Sequence, residues 1–448
     1  MGLLLACAAH LGAAVEKPAA KPDPVAVRRL VEQLGSDDFA TREKALRELS
    51  QLEEIPEALR AATKSNDPEV CRRAQTAIDV IMARAEDKAF KALVRWTVTE
   101  DFKSNVPHDP LVVQDKVIVG TDRGQLRAYR CDDGNGSWVH EHGSRIFHRP
   151  CSDGRHIYFS SAKGLTAVKV EDGTEAWKFD LASCDGPTLA LAKQGKVFVG
   201  GNDGLLHAVD AKTGKQVWVS DFIADAPPDP PNFPAERARL ANTKARPSAL
   251  ATDGETLFLS VFDQCRVVAI NAANGKQVWS FQTGGWIYGS AVATEKHVMF
   301  GSQDKAFYCL DKLTGKKVWS YETKGRIESG GVVDEKFVYF GSCDGSLYCL
   351  SQVEGQLRWQ FATDQRDGRK SAIYSVPVLK QDGVYFAAGE GQAYAIQKDK
   401  GELKWKIRPS KMSEMYCSPA TNGAVFFVVT RAKGKLDGEP SLVAISLK

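Results

Sequence analysis

The densest group of metal-ligating side chains in the 448-residue sequence is His140-Glu141-His142, with His148 close behind. On a strand, alternation puts both imidazoles of a His-x-His on one face, which suits a transition metal. However, the residue two after each of the other evenly spaced tryptophans is mostly apolar or aromatic: Val98, Phe179, Phe281, Tyr321, Phe361, Ile407. His140 fills that slot, so a packed histidine is expected and no metal site is assigned. Ten cysteines stand at 7, 71, 131, 151, 184, 265, 309, 343, 349 and 417, with no CxxC, CxxCH or adjacent pair. That argues against structural zinc, c-type haem and a dense disulfide framework. No nucleophile elbow, phosphate loop or HExxH helix is present, so no catalytic residue is assigned.

The frame that must position any site is set by tryptophans at 96, 138, 177, 218, 279, 319, 359 and 405, at intervals of 42, 39, 41, 61, 40, 40 and 46. Glycine lies four residues before seven of them (Gly134, Gly173, Gly214, Gly275, Gly315, Gly355, Gly401). A small residue lies ten before: Ala128, Ala167, Ala208, Ala269, Cys309, Cys349, Ala395. Stretches such as AVDAKTGKQVW and CLDKLTGKKVW therefore read as strand, tight turn, strand, with glycine supplying the positive φ. A second marker is a run of β-branched and aromatic residues: VIV at 117, IYF at 157, VFV at 197, LFL at 257, VMF at 298, VYF at 338, VYF at 384 and VFF at 425. Eight consecutively apolar runs fit strands buried on both faces. A period near 40 with four short strands per unit predicts a mainly β fold, an eight-bladed β-propeller. Cys309 and Cys349 then fall on equivalent strands of adjacent blades, about 10 Å apart and beyond disulfide reach, so both are expected as buried free thiols.

The pattern A-x-D-x-x-x-G-x-x-x-W resembles the tryptophan-docking repeat of the quinoprotein propeller family. That family includes the pyrroloquinoline quinone (PQQ) dehydrogenases and the BamB-type lipoprotein of outer-membrane protein assembly. The resemblance covers about four fifths of the chain. It implies that Trp96, Trp138, Trp177, Trp218, Trp279, Trp319, Trp359 and Trp405 each wedge between blades over a glycine turn. The Asp position holds Arg130, Lys169, Asn271, Ser351 and Gln397 beside Asp210 and Asp311, so it reads as structural. Quinoprotein enzymes carry a vicinal disulfide over the cofactor and acidic residues holding calcium. This chain has no Cys-Cys, and its propeller of about 350 residues lacks their long excursions, so no cofactor is expected. PQQ and calcium belong only to the alternative, a PQQ-dependent oxidoreductase, in which Trp286 of GGWIYGS would stack on the flat cofactor.

Function should sit where the units differ. From the third residue of each run to the next tryptophan the spacing is 19, 18, 19, 20, 19, 19 and 19; from tryptophan to the next run it is 23, 21, 22, 41, 21, 21, 27 and 22. Both insertions therefore join the outermost strand of one blade to the innermost of the next, connections that gather on one face around the channel mouth. The longer, from Asp221, begins proline-rich and ends with Arg237, Arg239, Lys244 and Arg246; the shorter carries Arg366, Arg369, Lys370 and Tyr374. Equivalent connections hold Arg145, His148 and Arg149; Trp286 and Tyr288; Arg326 and Glu328; Lys411 and Tyr416. Arginine and aromatic side chains on a concave rim suit a protein loop, an acidic peptide or a carboxylate. A solvated loop face on a mildly basic protein is the competing reading. The expected partner-binding rim is Arg145, Arg149, Arg246, Trp286, Arg326, Arg366, Arg369, Lys370 and Tyr374.

With 43% hydrophobic and 26% charged residues the composition is that of a globular protein, and a net charge of +3 is too mild and unclustered for nucleic acid. Residues 1–22 read as an export signal and linker: a short apolar run ending at Gly12-Ala13-Ala14, placing the protein in the periplasm or cell envelope. The run is too short to span a bilayer, so membrane proximity would come through a partner or a lipid anchor. Residues 23–89 have helical periodicity and hold two segments that align, from Ser36 and from Ser65, resembling a pair of HEAT-like repeats. Residues 90–448 form the propeller. In FKALVRWTVTE, Trp96 has Ala92 where glycine belongs, while Ala444 in SLVAISLK has no tryptophan ten residues on. Lys91 to Glu100 is therefore expected to supply the fourth strand of blade eight and close the ring, beside the helical segment.

Overall fold

The computed structural model describes residues 23–99, 102, 108–146, 148–181, 190–201, 204–222, 247–262, 264–366, 369–409, 413–415, 417–432 and 440–447. The expected export segment 1–22, most of the proline-rich insertion (223–246) and Lys411 and Tyr416 lie outside them. The chain divides into two compact units, residues 1–88 and 89–448.

The first unit is helical: α1 Pro24–Gln33, α2 Phe39–Ser50, α3 Glu57–Ala62 and α4 Pro68–Leu93, the last running on past the unit's boundary. Asp38 caps α2 by accepting from Thr41 N at 2.9 Å, and Asp67, its counterpart in the aligned segment, accepts from Glu69 N at 2.8 Å. Ala45, Leu49, Leu59, Ala74, Ile78 and Ile81 bury the apolar faces. Arg73 joins α2 to α4 through Glu43 at 2.6 Å while also bonding Glu69 at 2.5 Å.

The described residues of the second unit form eight blade sheets and one two-stranded ribbon. Blades 1 to 7 span 111–141, 151–179, 191–221, 247–282, 292–322, 331–362 and 378–407, each with four antiparallel strands in chain order. Blade 8 takes its strands from Ala420–Thr421, Val425–Ala432 and Ser441–Ser446, with Val94–Val98 on the outside. First strands of most neighbouring blades touch one another and so ring the centre. The second strand of each blade is buried on both faces, as its apolar run requires: Val197, Phe198 and Val199 are all at most 2% exposed.

Register explains the spacing of the repeat. Every docking tryptophan lies directly across from the small residue of its own blade, from Ala128 with Trp138 to Ala395 with Trp405, and Ala444 with Trp96. The small side chain leaves the indole room to lean toward the next blade. There it meets the glycine turn: Trp138 lies under Gly173, Trp319 under Gly355 and Trp96 under Gly134. Seven indole N–H groups donate to a carbonyl of that turn, Trp96 to Cys131 at 3.2 Å and Trp319 to Gln352 at 2.9 Å among them. The pairing of Trp96 with Ala444 closes the ring.

The closing strand is shorter than the expected span from Lys91 to Glu100. Helix α4 continues through Leu93, whose apolar periodicity carries it to the start of the strand at Val94. Ala89, Leu93 and Val94 pack with Ile407, Ile445 and Trp405 in one cluster. Since this strand follows a helix, no glycine turn covers Trp405 among the described residues, and its Nε1 is a buried donor with no acceptor among them. Cys309 and Cys349 are buried free thiols, each pushed up to about 12 by burial.

Candidate partner-binding face

His140 and His142 do share one side of the outermost strand of blade 1, their rings 6.1 Å apart. His142 is buried, bonds Ser161 Oγ through Nε2 at 2.7 Å and sets its ring edge-on to Phe159 at 5.0 Å. These are the contacts of a packing residue. Burial, then the charges of His140, Lys163 and Lys178, lower the His142 pKa to about 4, with Glu175 acting weakly the other way. A lowered histidine pKa favours the neutral ring in the fold. The contribution to stability is therefore complete above the unfolded pKa near 6.5 and is lost as pH falls toward 4. Between pH 7.5 and 5 the loss from this residue is about 2 kcal/mol. Denaturant unfolding of wild type and His142→Gln at the two pH values checks this: the variant should lose correspondingly less stability, and equal losses refute the assignment.

Because the strands alternate in direction, the connection entering each blade and the hairpin between its second and third strands share one face; the glycine turns occupy the other. On the glycine-turn face a cleft of 730 Å³ between blades 6 and 7 is lined by Asp334, Lys336, Phe337, Tyr339 and Lys398. It is spanned by a Lys398–Asp334 pair at 3.2 Å. Lys312 pairs with Asp253 at 2.8 Å in the equivalent place between blades 4 and 5, so this contact is an inter-blade tie.

On the connection face, five connections bury one apolar residue completely: Ile146, Ile287, Ile327, Ile373 and Met415. Backbone bonds pin three of them to the neighbouring hairpin: Ile146 N donates to Thr121 O at 3.2 Å, Ile327 N to Ser302 O at 3.1 Å and Ile373 N to Ser342 O at 3.1 Å. The carbonyl just before the buried residue accepts from the hairpin of the following blade, Trp286 O from Gln303 N and Arg326 O from Cys343 N, both at 2.8 Å. The residues flanking each isoleucine are thereby held in equivalent places around the mouth.

These flanking places collect several of the expected rim residues. Trp286 packs against Phe262 at 4.7 Å and stands edge-on to Tyr288 at 6.4 Å, and Phe262 touches Tyr288 at 4.7 Å. Tyr288 is 39% exposed. In the next connection Arg326 Nε lies 3.5 Å from Glu328, whose Oε1 also accepts from Gln303 Nε2 at 2.7 Å. Tyr374, half-buried, follows one blade further on. Burial raises the Tyr288 and Tyr374 phenols, and the Glu328 charge adds to both; Cys343 and Glu414 also face Tyr374. Burial and Glu328 push the Cys343 thiol up to about 11. Trp286, Arg326 and Tyr374 therefore belong to one continuous arc.

The other rim residues lie elsewhere. Arg145 is half-exposed and bonds Asp122 Oδ1 at 2.7 Å, an oxygen that His108 Nε2 also meets at 2.8 Å. Arg149 stands just before the first strand of blade 2; burial lowers its pKa, with Asp109 opposing. Arg366 and Arg369 face each other across a two-stranded ribbon of 365–366 with 369–370, their side chains lying outside the described residues, and Lys370 on it is exposed. Arg246 lies outside the described residues. Phe262, Gln303, Cys343 and Asp122 were not singled out by the sequence. Each is the third residue after its blade's apolar run, a place whose variability within an otherwise regular repeat marks it.

A family model described as outer membrane protein assembly factor BamB matches residues 161–232, 234–373 and 343–447. BamB of Shewanella oneidensis is 23% identical over 172 residues, 37% of this chain and 41% of that protein. Quinohemoprotein alcohol dehydrogenase ADH-IIG of Pseudomonas putida is 32% identical over 128 residues, 26% of this chain and 16% of that protein. The matched stretches thus span less than half of each of these curated relatives. Among solved structures, BamB from Moraxella catarrhalis superposes with a TM-score of 0.58 at 17% identity, covering 79% of this chain and 100% of that one. A europium-containing methanol dehydrogenase does so with a TM-score of 0.62 at 13% identity, covering 81% and 94%. At these identities the structural likeness shows the fold alone.

Proposed function

We propose that this chain, which belongs to the propeller family described as outer membrane protein assembly factor BamB, is a non-catalytic binding scaffold of the cell envelope that grips a protein partner through its connection face. The observation that carries the reading is the Phe262–Trp286–Tyr288 cluster, three aromatic rings in mutual contact at the channel mouth with one edge exposed. Rigid, part-exposed aromatic residues are what protein interfaces use as anchors. Trp286 and Tyr288 flank the buried Ile287 on one connection and Phe262 stands on the neighbouring hairpin, so little order is lost when a partner docks. The ribbon of 365–370 adds a flanking basic contact, and acidic segments of a partner would meet it there.

The chemistry of the described mouth supports the scaffold reading over a calcium-bound quinone. Among the described residues no three His, Cys, Asp or Glu side chains are grouped to hold a cation. Glu328 stands there as a single carboxylate, one oxygen held by Gln303, and Trp286 is packed by Phe262.

Co-purification from native extracts tests the reading. Trp286→Ala, and separately charge reversal of Arg366, Arg369 and Lys370 to Glu, should each reduce recovery of the partner at least tenfold with an unchanged melting temperature. Undiminished recovery with both variants would overturn it, as would stoichiometric PQQ uptake with dye-reducing turnover when PQQ and calcium are added.

A further inference from the structure

We propose that the arc formed by Phe262, Trp286, Tyr288, Glu328 and Tyr374 is a receptor for a cationic side chain, a lysine or arginine presented by the partner. The inference rests on the partner-binding reading of this face and names what the arc takes. The basic character of the rim in the sequence points to an acidic ligand, but two of its arginines are answered by carboxylates of the protein itself: Arg145 by Asp122 at 2.7 Å and Arg326 by Glu328 at 3.5 Å. The arc's remaining character is aromatic and carboxylate. Tyr288, Glu328 and Tyr374 each directly follow a fully buried isoleucine, so three equivalent connections hold a phenol, a carboxylate and a phenol in succession around the mouth.

That order suits a cation. Aromatic faces attract ammonium and guanidinium groups, and the aliphatic stem of lysine or arginine packs on the rings while its head reaches the carboxylate. The Gln303 amide fixes one oxygen of Glu328 at 2.7 Å, which orients the carboxylate in advance. Its contact with Arg326 is long, and Arg326 is more than half exposed, so an incoming cation can replace it by a swing of one mobile side chain. Glu414, from the connection beyond Tyr374, adds negative charge near that phenol. A carboxylate ligand would instead meet Glu328 and the electron-rich ring faces, both unfavourable to it.

The test follows the Trp286 indole N–H resonance, identified by its loss in Trp286→Phe, during titration of the full chain with Nα-acetyl-lysine methylamide and Nα-acetyl-arginine methylamide. Both should shift it saturably at millimolar concentration. The norleucine and glutamate methylamides should not, and Glu328→Gln should weaken the lysine response at least fivefold while Glu322→Gln, on the outer strand of blade 5, leaves it unchanged. An equal response to norleucine would reduce the arc to an apolar anchor and overturn the inference. So would a stronger response to glutamate, or no effect of Glu328→Gln. Loss of partner capture in Trp286→Ala without any lysine response would overturn this inference alone; a saturable lysine response without partner capture would overturn the scaffold reading alone.

Discussion

Deletion of Val94–Val98 is expected to lower the melting temperature of the whole propeller by on the order of 10 °C. The strand is short, but it pairs with Ile445, Ala444, Val443 and Leu442, and without it the Ser441–Ser446 strand becomes the bare edge of blade 8. Trp96 is its main contribution. The indole lies under Gly134, donates to Cys131 O at 3.2 Å and packs on Phe427 at 5.7 Å, so it binds blade 8 to blade 1. Losing a large aromatic side chain from such a place costs about 3–5 kcal/mol, and in a closed ring the loss is felt by every blade, because the seam is where the ring would open. Trp96→Ala is the graded form of the experiment, and Trp286→Ala, at the channel mouth, is the control that should leave stability unchanged. Thermal unfolding followed by far-UV circular dichroism gives the answer. A deletion variant that melts with the wild type would mean that the ring does not depend on this strand.

The tryptophan ladder and its glycines were legible because both recur at one period, and a repeat seen eight times averages out local accidents. What the repeat left hidden was its consequence at the seam. The glycine turn of a blade serves the indole of the preceding blade, so a closing strand that follows α4 leaves Trp405, not Trp96, uncovered. Only the structural pairing shows which indole each turn covers. At the mouth, Trp286 and Tyr374 stood out as departures from the repeat. Phe262, Gln303, Cys343 and Asp122 did not, because they lie in the hairpins rather than in the connections whose length varies, and their role follows from the neighbour they face. The ion pairs of the rim were hidden for a related reason. The carboxylate that answers Arg145 is Asp122, 23 residues earlier in a different hairpin, and charge read along a sequence does not pair residues across such a gap.

Gly355→Ala is expected to cost about 2–5 kcal/mol, far more than its single added methyl suggests. Gly355 has φ +69°, where an L-residue pays about 1–2 kcal/mol for its Cβ. Here the added carbon would also sit 2.5 Å from Cδ2 and 2.7 Å from Cε3 of Trp319, held in turn by its bond to Gln352 O. The two causes are separable. Asparagine tolerates left-handed backbone, so if turn geometry alone selected glycine, Gly355→Asn would be nearly as stable as wild type. The indole predicts otherwise: Gly355→Asn should be at least as damaging as Gly355→Ala, and combining either with Trp319→Leu should cost markedly less than the two single changes added together. Gly136→Ala is the reference, since a Cβ there meets nothing within 4 Å. Additive costs in that cycle would confine the glycine to its turn. Non-additive costs would explain why seven blades keep glycine where the Asp position four residues earlier varies freely: the neighbour's indole fills the volume that any side chain would need.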